Sequence, residues 1–272
     1  MRIDRAEGFA GPGTPGLFWL GQAGFWIDTG SVRVLIDPYL SDSLARKYAG
    51  RKHDHKRMMP PPVAVDALPR PDVVLVTHGH TDHMDPDTLG PLARRFPDLP
   101  FVVPAAQERL ARDRIGVDAT LFLADAGQAL APVDGLRLRV LPAAHERRET
   151  DALGRHLFLG YGIEADGVKI YHSGDCVPFD GLAGAVAAFA PDIALLPVNG
   201  RDAQRLADGI PGNFTLAEAV SLAADIPYLV PHHFGMFAFN TIDPEIIDAV
   251  ARRSAGRPRI IRPVAGETLR IV

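Results

Sequence analysis

The run Val73–Val76 is apolar and mostly β-branched, and it stops abruptly at Thr77. Such a run reads as a fully buried strand. The residues it delivers are His78, His80, Asp82 and His83. Three imidazoles and a carboxylate so close together are a ligand set for a borderline divalent ion. Zinc comes first, with manganese and iron also compatible. His78 and His80 are two positions apart, so both can aim at one ion from an extended turn. Asp82 and His83 follow at once and can face a second ion beside it.

The chain around this strand has 272 residues, enough for one large domain or two small ones, and a hydrophobic share of 47%, ample for a buried core. No Ser- or Gly-rich linker interrupts it, so one domain over 1–272 is expected. A net charge of −4 argues against a nucleic-acid binder working through a general basic surface. No apolar stretch is long enough to span a membrane, and the first residues have no apolar core of a secretory signal. A single cysteine, Cys176, excludes an internal disulfide framework, and a reducing cytoplasm is the simpler expectation. Beside Asp175 it reads as a small buried residue rather than a thiolate ligand.

Hydrophobic patterning yields an alternation of strands and helices, and hence an α/β fold. Residues 1–16 read as a surface run. Strands are expected at 17–28 around a glycine-containing turn, and at 32–37, 101–104, 136–145, 193–198, 228–231 and 268–271. A hairpin is expected over 156–175, turning at Asp166–Gly167. Helices are expected at 65–68, 85–96, 106–112, 182–189, 215–224 and 244–253, with Thr215 and Glu218 forming a capping box. Residues 39–62 look irregular and carry six basic side chains between positions 46 and 57: Arg46, Lys47, Arg51, Lys52, Lys56 and Arg57. In an acidic chain this is a local positive patch, suited to a flap that draws an anionic substrate inward. His53 and His55 have no strand leading into them and read as loop residues.

The segment Thr77-His78-Gly79-His80-Thr81-Asp82-His83 resembles the His-x-His-x-Asp-His signature of the metallo-β-lactamase superfamily. The strand–turn–strand opening is similar to the start of that fold. The resemblance implies a four-layer αββα sandwich of two mixed β-sheets flanked by helices. It also implies one or two divalent ions, zinc or manganese, held by His78, His80, Asp82, His83, His145, Asp175 and His233. His145 would complete a three-histidine site, Asp175 would bridge two ions, and His233 would join Asp82 and His83. Asp82 and His233 are the residues placed closest to the chemistry. Of the neighbours His232 and His233, the family pattern favours His233. Asp37 would support the ligand loop from behind, and His172, inside a strand, is expected in the same supporting layer.

The motifs at 19–27, 171–175, 199–202 and 230–234 look like the L-ascorbate-6-phosphate lactonase branch. This implies hydrolysis of a small, anionic ester or lactone by a metal-activated hydroxide. If the substrate carries a phosphate, Asn199, Arg201 and Arg205, or the basic stretch 46–57, are the residues expected to hold it. Two other classes fit the same ligands: a phosphodiesterase for nucleotides or phospholipid head groups, and a di-iron redox protein needing a partner chain. The expected partner is a small molecule, with a homo-oligomer compatible and no role for nucleic acid or membrane.

Overall fold

A computed structural model of the chain describes residues 1–254 and 256–272. The first strands are β1 (Ile3–Glu7), β2 (Gly16–Gly21), β3 (Gly24–Asp28) and β4 (Arg33–Ile36). Helix α1 (Ser43–Lys47) precedes β5 (Val73–Leu75), α2 (Pro86–Arg95), β6 (Pro100–Pro104), α3 (Glu108–Ile115) and β7 (Thr120–Ala124). The chain continues through β8 (Ala129–Leu130), β9 (Arg137–Pro142), β10 (Leu159–Ala165), β11 (Val168–His172), α4 (Leu182–Phe189) and β12 (Ile193–Pro197). It closes with α5 (Ala203–Ala207), α6 (Leu216–Leu222), β13 (Tyr228–His232), α7 (Pro244–Arg253), β14 (Arg259–Ile260) and β15 (Glu267–Ile271).

These strands form two mixed sheets, ordered β1-β15-β2-β3-β4-β5-β6-β7 and β14-β13-β12-β11-β10-β9-β8. Their inner faces share one core, in which Phe25, Ile27 and Leu75 of the first sheet meet Val140, Tyr161 and Leu195 of the second. The other face of the first sheet, including Val74 and Val76, packs on Leu89 and Leu92 of α2 and Ala111 and Ile115 of α3. Helices α4, α6 and α7 lie against β9, β13 and β14. The result is the expected αββα sandwich, and β5 is buried on both faces because it lies between a sheet and a helix layer.

Strand direction places the site. In the first sheet β4, β5 and β6 run parallel, and β2 runs the same way because two antiparallel pairings separate it from β4. In the second sheet β11, β12 and β13 run parallel, and β9 shares their direction through antiparallel β10. The C-terminal ends of β2, β4 and β5 therefore share one edge of the first sheet, and those of β9, β11 and β13 one edge of the second. Residues just past these ends are Gln22, Asp37, His78, His145, Asp175 and His233.

Several elements differ from the sequence expectation. The N-terminal run contains an edge strand, β1, whose partner β15 lies at the other end of the chain. Nothing local signals such a pairing. Strands β7, β8 and β14 and the short helix α5 also escape the periodicity. The strand expected to end on His145 stops at Pro142, and His145 sits in the loop beyond it. The capping box of α6 forms as read, with Thr215 and Glu218 each bonding the other's backbone. Asp85 and Asp243 cap α2 and α7 in front of a proline, a start that suits the missing proline N–H. Among the described residues, no helix is long and apolar enough to cross a membrane.

Candidate metal centre

The ligand loop is fixed from three sides. Asp37, just past β4, accepts hydrogen bonds from the Thr77 backbone N–H at 2.8 Å and from Thr77 Oγ1 at 2.6 Å. Arg114 of α3 donates to the carbonyls of Gly79 and Met84 at 2.7 and 3.0 Å. The His83 and Met84 N–H groups turn back onto the His80 carbonyl. Gly79 is closely approached: a Cβ would lie 2.6 Å from the tip of Leu110 and 2.8 Å from the tip of Gln107, so both side chains would have to shift. Gly174, at φ +62°, lets the Asp175 loop pass close to Thr77 and the Leu159 carbonyl, where an added Cβ would lie only 2.8 Å from each.

Two groups of donor atoms result. His78, His80, His145 and Asp175 form one, and Asp82, His83 and His233 the other; within each, the donor atoms lie within 4.8 Å of one another. Asp175 stands between them. Its Oδ1 is 3.4 Å from His83 Nε2, and its Oδ2 is 3.5 Å from His145 Nε2 and 3.3 Å from His233 Nε2. Of these seven residues only His80 is exposed, at the mouth of the cavity.

The groups behind them decide which nitrogen faces inward. Thr77 Oγ1 gives its proton to Asp37, so it accepts from His78 Nδ1 at 3.0 Å. Nδ1 of His83 donates to Asp37 at 2.7 Å, and Nδ1 of His145 donates to the Gly212 carbonyl at 3.0 Å. Nε2 of all three thereby faces the centre. Phe158 lies against the rings of His78, His80 and His145, with centroids 5.0, 5.8 and 5.5 Å away. Nε2 of His78, Nε2 of His83 and Oδ1 of Asp175 are buried with no hydrogen-bond partner. Orphaned polar atoms converging on one place are costly unless a cation meets them. The donor set thus fits divalent ions.

Charge reinforces the fit. Burial opposes ionisation of Asp175, but His233 and His83 outweigh it and hold its carboxyl well below the usual range. Burial likewise opposes charge on His83, yet Asp175, Asp37 and Asp82 prevail and raise it well above an ordinary histidine. Burial, with help from neighbouring imidazoles, pushes His78 well below that range and brings His145 down to about 4. Two kinds of histidine therefore share one centre.

Three neighbours of the ligands, His232, His172 and Cys176, lie outside the donor set. His232 turns away from the donor cluster and stacks on His172, 4.7 Å between centroids and 16° between planes. His172 Nε2 donates to the Ala23 carbonyl and its Nδ1 accepts from the Gly174 N–H, so it braces the Asp175 loop. Cys176 is buried, its thiol pushed up to about 12 by burial. It takes no part in the donor set.

Asn199, Arg201 and Arg205, expected from the sequence to hold a substrate phosphate, are engaged by other protein groups. Both Arg201 terminal nitrogens are bound to Glu218 at 2.7 Å, and one also bonds the Asn213 carbonyl. Arg205 is held by Asp202, the Asn199 carbonyl and Asn240. Asn199 is buried between Asn240 and Asn213. None of the three lines the cavity, because acids, carbonyls and amides of neighbouring segments satisfy them first. The basic stretch does line it: a cavity of about 490 Å³ above the donor cluster is walled by Lys47, Tyr48, Arg51, Lys52, His53 and His55, facing Phe237 and Phe239. Arg57 is instead tied to the carbonyls of Tyr39, Ser41 and Met59.

One residue at the centre was missed. Gln22, in the turn after β2, points its side-chain nitrogen at Asp82 Oδ2, 2.8 Å away, and at His233 Nε2, 3.1 Å away. The available signal was a glutamine in a two-residue hairpin loop, where Gly, Asn or Asp is favoured.

Comparison with known proteins places this geometry in a family. The family model described as the Beta-lactamase superfamily domain matches residues 32–234. This chain belongs to the metallo-β-lactamase superfamily. It is similar to a UPF0173 metal-dependent hydrolase of Saccharolobus solfataricus, 24% identical over 254 residues that cover 93% of this chain and 98% of the relative. A UPF0173 metal-dependent hydrolase of Pyrococcus furiosus is 28% identical over 257 residues, covering 93% and 98%. Among solved structures, the isothiocyanate hydrolase from Delia radicum gut bacteria superposes with a TM-score of 0.74 at 20% identity, over 94% of this chain and 98% of that one. The chain is a metal-dependent hydrolase of this superfamily, with a His/Asp cluster able to bind metal ions.

Proposed function

We propose that the protein hydrolyses a small anionic ester or lactone, most simply a sugar-phosphate lactone, with zinc or manganese as its metal. His78, His80 and His145 would hold one ion, Asp82, His83 and His233 a second, and Asp175 would touch both. Ions held by these residues would supply water acidified enough to act as a nucleophile near neutral pH. Asp82 takes the role of orienting that nucleophile, and the buried rings of His78, His83 and His233 keep bulk water from the far side.

The observation that carries the substrate class is the charge of the cavity wall. Lys47 lies 3.5 Å from Thr81 Oγ1 on the cavity wall, and Arg51 lies over the Tyr48 ring. Among the described residues neither is paired with a carboxylate, whereas Lys52 is neutralised by Asp208 at 2.6 Å. Two unpaired cations beside the centre suit an anionic group held away from the metals. The rings of Tyr48, His55, Phe237 and Phe239, packed on one another, suit the apolar face of a small ring.

The test is a panel of a phosphorylated lactone, an uncharged lactone and bis-nitrophenyl phosphate, offered to metal-loaded protein. The phosphorylated lactone is expected to be turned over best. Arg51→Ala should lower kcat/KM for it by about tenfold to a hundredfold, the worth of one charge-assisted contact, and leave the uncharged lactone unaffected. Preference for the diester would replace this reading with a phosphodiesterase, and two bound irons without hydrolysis would replace it with redox chemistry.

A further inference from the structure

The backbone of Gln22 is in the left-handed region, at φ +51°, where a long side chain is disfavoured and glycine or asparagine is relaxed. Its carbonyl accepts from Trp19 Nε1 at 3.0 Å and from the His233 N–H at 2.9 Å, so the turn is tied to the end of β13. The side chain is wholly buried and runs to the Asp82–His83–His233 half of the centre. Its nitrogen lies 2.8 Å from Asp82 Oδ2 and 3.1 Å from His233 Nε2, while Oε1 is buried with no partner. A half-turn about the last side-chain bond exchanges Oε1 and Nε2 and moves no other heavy atom.

We propose that Gln22 is the protein group that completes the Asp82–His83–His233 half of the centre, offering its carboxamide oxygen to a hard divalent ion. The spacing supports this. Neighbouring ligands of an octahedral ion with bonds of about 2.1 Å lie about 3 Å apart, which is the separation of the Gln22 amide from its two neighbours. A carboxamide can approach a cation only through its oxygen, and in the observed orientation that oxygen is committed to no hydrogen-bond partner. Strained backbone that places a polar side chain in a site points to a use for that side chain. The inference also separates the two halves by chemistry. Three imidazoles at His78, His80 and His145 suit zinc, whereas added oxygen from Gln22 and Asp82 shifts the other half towards manganese.

This inference rests on the two-ion reading of the centre, and one titration tells the two apart. Mn²⁺ is titrated into the metal-free full chain of wild type, Gln22→Met and Gln22→Glu, and stoichiometry and affinity are read directly. The wild type should bind two ions. Gln22→Met should bind one ion as before and the second about tenfold or more weakly. Gln22→Glu, which keeps oxygen in place, should hold the second ion as tightly as wild type or more so. If Gln22 only donates an N–H to Asp82 and His233, the glutamate would repel Asp82 and weaken the second ion, which overturns the proposal. Unchanged binding of both ions in Gln22→Met, or equal loss of both, overturns it as well. A wild type that binds a single ion removes the two-ion reading and this inference together. Two ions in wild type and in Gln22→Met, the second at unchanged affinity, removes the Gln22 assignment alone.

Discussion

Asp37 and His83 are joined by a hydrogen bond of 2.7 Å between two fully buried side chains, 46 positions apart in the chain. The same carboxylate receives both donors of Thr77, and Thr77 in turn supports His78. One aspartate at the end of β4 therefore orients an imidazole in each half of the metal centre. Its backbone is left-handed at φ +43°, a conformation that asparagine tolerates well. Asp37→Asn thus removes the charge without forcing the turn to move. It is expected to weaken metal binding about 10–100-fold with the fold intact. Unaltered affinity in a metal titration would show that the carboxylate is not needed to orient the ligands.

The adjacent histidines of β13 have opposite environments. His233→Ala should lose the ion of its half-site and most activity. His232→Ala should keep metal and lose stability, because the His232 ring fills space between His172 and Phe25. Removing a buried ring of this size costs about 2–4 kcal/mol. Metal content and Tm measured side by side check both outcomes, and metal loss in His232→Ala alone would reverse the assignment.

The two kinds of histidine predict two pH dependences. An ion at the half-site of His83 must displace a proton that Asp175, Asp37 and Asp82 hold against burial, at a pKa well above the ordinary range. Its affinity should therefore rise as pH rises, by about tenfold per unit for one displaced proton, until the pH exceeds the raised His83 pKa. His78 and His145 lie well below neutrality, His145 at about 4, and have no proton to lose there. The affinity of their half-site should be nearly flat from about pH 6 to pH 8. Metal titrations at several pH values decide this; equal slopes for both ions would contradict it.

Arg201 and Glu218 give a stability prediction in place of the substrate contact expected from sequence. Arg201 holds the Glu218 carboxyl down to about 2, with the Thr215 cap assisting. A depressed carboxylate stabilises the fold above its unfolded pKa. That contribution is lost as pH falls from about 4.5 towards about 2. Arg201→Ala and Glu218→Gln should each cost about 1–2 kcal/mol, and the double variant little more than either alone. Thermal unfolding measures this. An additive double variant would show that the pair is not coupled, and a raised KM in Arg201→Ala would restore it to the substrate site.

What the sequence determined by itself was the chemistry and its delivery. The run at 73–76 ends in alternating histidines and acids, and that pattern is legible because strand burial and metal affinity are both local properties of residue type. The helices at 182–189 and 244–253 were equally local, set by periodicity and flanking breakers. Tertiary structure alone decided which further groups meet the ligands and which are turned away. Edge strand β1 pairs across the length of the chain, Arg201 is claimed by an acid from α6, and Gln22 reaches Asp82 only because β2 and β5 end on the same sheet edge. None of these follows from sequence spacing, because each depends on strand direction and on the three-dimensional competition of neighbouring groups for the same hydrogen bonds.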